Sequence, residues 1–173
     1  MAAAKRQKGK ILKYSLLIIV ILFVLIQFIP VDRTNPPVVK EPAWDSPKTR
    51  AYAVRACFDC HSNETKWPAY SYVAPVSWLV ADDVEEGRKH FNMSDWKPGK
   101  GDEAAKEVRK GDMPMWQYTL MHSEARLTDA EKKEFIAGLI ATFGEEKDHK
   151  MDQKEGQNGK RDKTIRFSDE DED

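Results

Sequence analysis

The chain has 173 residues, room for one small domain with additions, and a third of its residues are charged. Its formal net charge is only −1, which argues against a nucleic-acid binder carrying a basic face. That balance hides three unequal stretches: residues 1–43 hold seven basic side chains against two acidic, residues 44–144 fourteen against sixteen, and residues 145–173 seven against eleven.

From Ile11 to Ile29 the only charge is Lys13, and Gln27 is the one strongly polar interruption after Ser15. A helix of this length rises about 28 Å, close to the hydrocarbon thickness of a bilayer. The run ends in "QFIPVDRT", without the small-residue site of a cleaved signal peptide. Residues 11–29 are therefore expected to be an uncleaved transmembrane anchor. Lys5, Arg6, Lys8, Lys10 and Lys13 sit at its start, so the positive-inside rule keeps residues 1–10 in the cytoplasm and places the rest outside.

Residues 30–47 contain Pro30, Pro36, Pro37, Pro42 and Pro47. Proline fixes φ and removes a donor, which disfavours both helix and central strand. An extended linker of this kind reaches on the order of 50 Å, and the expectation is a semi-stiff leash between membrane and domain.

Four helical patterns follow within residues 48–144. Ser46-Pro47 is a cap with proline at the first helical position, opening "KTRAYAVRA". Pro75 starts a helix through Phe91, with Val76, Leu79, Val80, Val84, Gly87 and Phe91 at helical spacing. Asp102 is placed to cap "EAAKEVRK", which Gly111 stops. Thr128 and Glu131 form a capping box before a helix carrying Phe135, Ile136, Leu139 and Ile140, stopped by Gly144. No strand-like alternation occurs, and the domain is expected to be all-α. Four short helices with long loops bury little surface, so something must fill the middle. Residues 145–173 have Met151, Ile165 and Phe167 as their large apolar residues. They read as a charged, disordered tail.

The chain's two cysteines fall in "CFDCH", Cys57 to His61. A disulfide across so short a loop contributes little. A zinc ribbon needs a second ligand pair, and a redox dithiol needs a βαβ setting. Cys-x-x-Cys-His uses all three residues: two thiols that add to haem vinyl groups and a histidine that ligates iron. An exported all-α domain suits that reading, because haem supplies an apolar centre. Met93, Met113, Met115, Met121, His90 and His122 are the candidates for the second axial position. "KGDMPMW" stands out among them, in a loop after a helix stop; its plain alternative is that a methionine there fills the core. Trp67, Tyr70, Tyr72, Trp78, Trp96, Trp116 and Tyr118 are expected mostly to pack the core, with one or two near the haem. Lys66, Arg88 and Arg126 are candidate partners for its propionates.

The runs "CFDCHSNETKWPAYSYVAPVSW" and "GDMPMWQYTLMHSEARLTDAE" resemble a family of small bacterial monohaem c-type cytochrome domains, the haem-binding domain proteins, over about Trp44 to Gly144. The resemblance implies a cytochrome c-like fold with one haem c held covalently by Cys57 and Cys60, His61 on the iron, and Met113 at the Met-Pro position as distal ligand. The resulting expectation is a single-pass protein of the bacterial cytoplasmic membrane, with its haem domain on the periplasmic side. It would transfer electrons to membrane or periplasmic redox proteins, through a bilayer-anchored domain without nucleic-acid contacts. Its alternatives are a haem subunit of a larger membrane complex and an open-iron protein that senses gas or handles peroxide. No nucleophile–base set or phosphate loop is present in the sequence, so an enzyme is not expected.

Overall fold

The computed structural model describes residues 2–144; the tail expected over residues 145–173 lies outside the described residues. Among the described residues the structure is all-helical, with α1 (Ala2–Ile26), α2 (Pro47–Ala56), α3 (Phe58–His61), α4 (Val76–His90), α5 (Ala104–Lys110), α6 (Trp116–Met121) and α7 (Asp129–Phe143). Two 3-10 turns, Ala69–Tyr72 and Ser123–Ala125, complete it. The β structure among these residues is a single parallel bridge between Lys40 and Asp95.

Helix α1 begins nine residues before Ile11 and closes through i→i−3 bonds at Gln27, Phe28 and Ile29. Its stretch Gly9–Ile26 has a mean hydropathy of 2.4, and none of it is buried against the rest of the chain. It is long and apolar enough to cross a bilayer, and no protein interior accounts for its side chains.

The caps follow the sequence with one exception. Ser46 Oγ accepts from the Thr49 amide and Pro47 opens α2. Thr128 and Glu131 form the reciprocal capping box of α7. Gly111 and Gly144 end α5 and α7, each with a φ of 88° that favours glycine. Asp102, however, does not cap α5. The cap position is Glu103, already in helical backbone and making no side-chain cap bond. The Ala104 amide reaches the Gly101 carbonyl at 3.0 Å, so the chain enters α5 through a turn that starts before Asp102.

Tyr52 and Ala53 of α2, Phe58 of α3, Ala105 and Val108 of α5, and Phe135 and Leu139 of α7 form the core with Phe91 and Met93. In α4 the buried line is Ser77, Val84 and Gly87. Val76 and Leu79, expected on the same stripe, are 40% and 65% exposed.

The proline-rich segment does not stand free of the domain. Gln27 Nε2 donates to the Ala74 carbonyl at 3.2 Å, while its Oε1 accepts the Ala74 amide at 2.9 Å. Arg33 Nε donates to the Ser71 carbonyl at 2.8 Å and lies over the Tyr72 ring. Arg88 donates to the Thr34 carbonyl and to Asn35 Oδ1, and Asn63 Nδ2 donates to the Pro37 carbonyl. The Val39 and Lys40 amides share the Ser94 carbonyl. Finally, Glu41 takes a two-pronged ion pair from Arg50. Side chains, carbonyls and the Val39 and Lys40 amides together make these contacts, so the segment is a strap.

Candidate haem site

Cys57 both ends α2 and starts α3. Its amide donates to the Ala53 carbonyl at 2.8 Å, and its own carbonyl accepts from the Cys60 and His61 amides at 3.2 and 2.8 Å. One helical turn therefore puts Cys57 and Cys60 three residues apart on neighbouring positions. Neither is in a disulfide. Burial pushes both thiols up to about 12, with each other's proximity adding at Cys57 and with Asp83 and Asp59 adding at Cys60. At neutral pH both are thiols.

His61 Nδ1 lies 3.0 Å from the Gly87 carbonyl and 3.1 Å from the Phe91 carbonyl. Both partners can only accept, so Nδ1 carries the proton and donates. The lone pair is then on Nε2, the arrangement a metal-binding imidazole needs. Burial lowers the His61 pKa, and the two carbonyls oppose that only in part; the ring is neutral. This geometry depends on Gly87, because any side chain there would run into the Cys60 carbonyl.

A cleft of about 440 Å³ opens beside this turn, with Cys57, His61, Phe91, Met93, Met113 and Leu139 among its walls. A second hollow of about 270 Å³ shares Cys57, His61, His90 and Met113 and adds Cys60, Pro114, Met115 and Tyr118. A third, of about 330 Å³, continues past Cys60 and Met115 to Tyr70, Leu79, Met121 and His122. Both thiols, the imidazole and Met113 thus line one hollow, the second.

The residues after the motif lock it, a role the sequence reading did not assign. Ser62, Asn63 and Thr65 are all at least 94% buried. Ser62 Oγ donates to the Phe58 carbonyl and accepts the Glu64 amide. Asn63 holds the strap at Pro37 and accepts from Asn92. Thr65 Oγ1 donates to the Asp59 carbonyl. Asp59, between the cysteines, accepts the Lys66 amide at 2.9 Å and the Tyr118 hydroxyl at 2.6 Å. The available signal was three small hydrogen-bonding side chains directly behind His61.

The distal candidates separate. Met113 lines the first and second hollows, Met115 the second and third. Met93 is 1% exposed and its amide bonds the His61 carbonyl at 2.7 Å. The His90 side chain is 76% exposed and faces Glu103. His122 has both ring nitrogens engaged, with Tyr70 at 2.7 Å and Glu124 at 3.1 Å, and stacks on Tyr118; Met121 is 61% exposed. Of the candidate propionate partners, Arg88 is committed to Ser62, Thr65 and the strap, and Arg126 Nε to the Thr119 carbonyl. Lys66 borders the third hollow.

Among the described residues, no group of three or more His, Cys, Asp or Glu could hold a bare metal ion. The donor set suits an iron already held in a macrocycle, to which a protein adds only axial ligands. A helical domain with a hollow bordered by two thiols and a neutral, oriented imidazole has the make-up of a haem protein. The chain matches the family model for the haem-binding domain over residues 21–141, and it belongs to that family. It is 27% identical over 97 residues to the cytochrome c peroxidase Ccp of Escherichia coli (strain K12), an overlap of 49% of this chain and 20% of that protein. The chain therefore spans about a fifth of the length of that relative. No solved structure matches it.

Proposed function

We propose that the chain is a membrane-anchored monohaem c-type cytochrome that passes electrons at the outer face of the cytoplasmic membrane. The observation that carries this is the His61 ring, oriented by two carbonyls with Nε2 left bare, on the same turn as two free thiols. Cys57 and Cys60 would hold the porphyrin through thioethers, His61 would take the proximal position, and Met113 the distal one. A haem held there supplies one-electron exchange between ferrous and ferric iron. The residues around it serve that exchange by keeping the ligands fixed. Gly87 and Phe91 hold the imidazole's proton on Nδ1, while Asp59, Ser62 and Thr65 prevent the turn from shifting. Helix α1 would keep the domain beside redox proteins of the membrane or periplasm and raise its effective concentration there. The basic side chains Lys10 and Lys13 near the start of the span favour an extracytoplasmic domain.

Denaturing gels stained for haem, with oxidised and reduced spectra of the purified full chain, test this reading. Cys57→Ala and Cys60→Ala are each expected to weaken covalent retention, and His61→Ala to give little stable holoprotein. Haem that stays on the denatured chain when both cysteines are gone overturns the attachment. A second reading, peroxide handling at the iron, is favoured by the likeness to a cytochrome c peroxidase. It requires a vacant distal position. Carbon monoxide binding by the reduced wild type, with peroxide-dependent oxidation, would select it over the carrier.

A further inference from the structure

Helix α1 ends against one particular face of the domain. Gln27, directly after the last helical residue, holds both the amide and the carbonyl of Ala74. Six residues on, Arg33 grips Ser71 and covers the Tyr72 ring. Two clamps fix which side of the domain meets the end of the span, where a single flexible joint would leave every side available.

That side is apolar. Tyr72 and Val73 precede Ala74, and Val76 and Leu79 follow it on the first turn of α4; they are 59%, 46%, 40% and 65% exposed. Leu120 and Met121 of α6 are 63% and 61% exposed. Val76 and Leu79 share the third hollow with Met121, so α4 and α6 contribute to one continuous surface. A patch of this kind on an exported domain marks something that covers it.

We infer that this face, formed by Tyr72, Val73, Val76, Leu79, Leu120 and Met121, lies on the outer surface of the lipid bilayer that α1 spans. The inference rests on the anchor reading of α1. Continuity selects lipid as the occupant. The face begins at a residue bonded to the end of the span, so it stands at the level where hydrocarbon gives way to headgroups. A protein docking there would have to enter between the domain and the membrane. Tyrosine, here Tyr72, is also a residue that settles at this depth. The third hollow, bordered by Cys60, opens in the same face, so the Cys60 side of the cleft is turned toward lipid.

The test uses the haem-loaded full chain in nanodiscs of mixed phosphatidylethanolamine and phosphatidylglycerol. The photo-reactive residue p-benzoylphenylalanine replaces Leu79, Leu120, Lys133 or Val20 in separate preparations, and adducts are read by mass spectrometry. Lys133 lies on the exposed side of α7 and Val20 within the span. Lipid adducts at positions 79 and 120 many-fold above those at 133 are the expected result. Adducts at 20 with none at 79 and 120 overturn the docked face and leave the anchor standing. Absence of lipid at 20 overturns the anchor and the face together. Cross-linking of 79 or 120 to another polypeptide instead of lipid overturns the inference in favour of a protein interface.

Discussion

A methyl group on Gly87 would stand 2.5 Å from the Cys60 carbonyl oxygen and 2.9 Å from its carbon. Both are backbone atoms, so no rotamer change relieves the overlap; α3 and α4 must separate. Gly87→Ala is expected to cost roughly 1–3 kcal/mol and to lower the haem carried per chain, because the same residue's carbonyl orients His61. Haem content and melting temperature unchanged from wild type would show that the two helices are not held at that spacing. The methionines give a second contrast. Met113→Ala is expected to keep the covalent haem, lose the weak long-wavelength methionine–iron band, lower the potential and admit carbon monoxide. Met115→Ala should keep the band and lose at most a few kcal/mol from the cavity left. The opposite pattern in the spectra would move the ligand by two residues.

The strap is the element in which sequence and structure differ most. Its tie to α2 is the Glu41–Arg50 pair, at 2.7 and 2.8 Å, with the Trp44 indole donating to the same carboxylate. The Arg50 hydrogen bond holds the Glu41 carboxyl below its usual range, against a smaller opposing effect of burial. Its folded pKa is therefore under its unfolded one. The stability it contributes is complete above an unfolded value of about 4.3 and is lost as pH falls through the lowered folded value. Since both side chains keep solvent contact, Glu41→Gln should cost only about 0.5–1 kcal/mol near neutrality. Thermal melts should show that gap closing as pH falls below the ordinary glutamate range; a gap of constant size on acidification would assign the effect to packing. Caps and stops were legible in the sequence because their chemistry is local: Ser46-Pro47, Thr128 with Glu131, and the two stop glycines act on their own turns. The motif was legible because its spacing is a helical turn. The strap was not, since its bonds to Arg88 and Asn63 join residues 26 to 54 positions apart through single side chains. The α4 stripe misled for a related reason, as helical periodicity groups Val76 and Leu79 with Val84 without saying which end of the helix the core covers.

At the scale of the molecule, an apolar helix with no burial and a hollow helical domain are joined end to end. The full chain is expected to stay in the membrane fraction through an alkaline carbonate wash. Protease added to intact spheroplasts should remove the haem-staining domain. A domain that survives such shaving while lysed cells lose it would reverse the orientation. A mature chain beginning near residue 30 would instead make α1 a cleaved leader.

On the proposed function, the strap's bonds would also set how this protein meets its redox partners. An unfastened linker of the same length would let the domain bob through tens of ångströms of water. Clamped at Ala74 and Ser71 and stitched along Arg88, Asn63 and Ser94, the domain would, with α1 as the proposed anchor, keep one altitude above the bilayer. What remains is sideways drift and yaw about the long axis of α1. On the proposed function, collisions would then be two-dimensional, and a redox partner would be served only where its own centre stands at that same height. Cutting the Gln27 and Arg33 clamps should change the pace of electron delivery to a membrane-bound acceptor while leaving the haem spectrum as it was, a difference that stopped-flow mixing in nanodiscs can time.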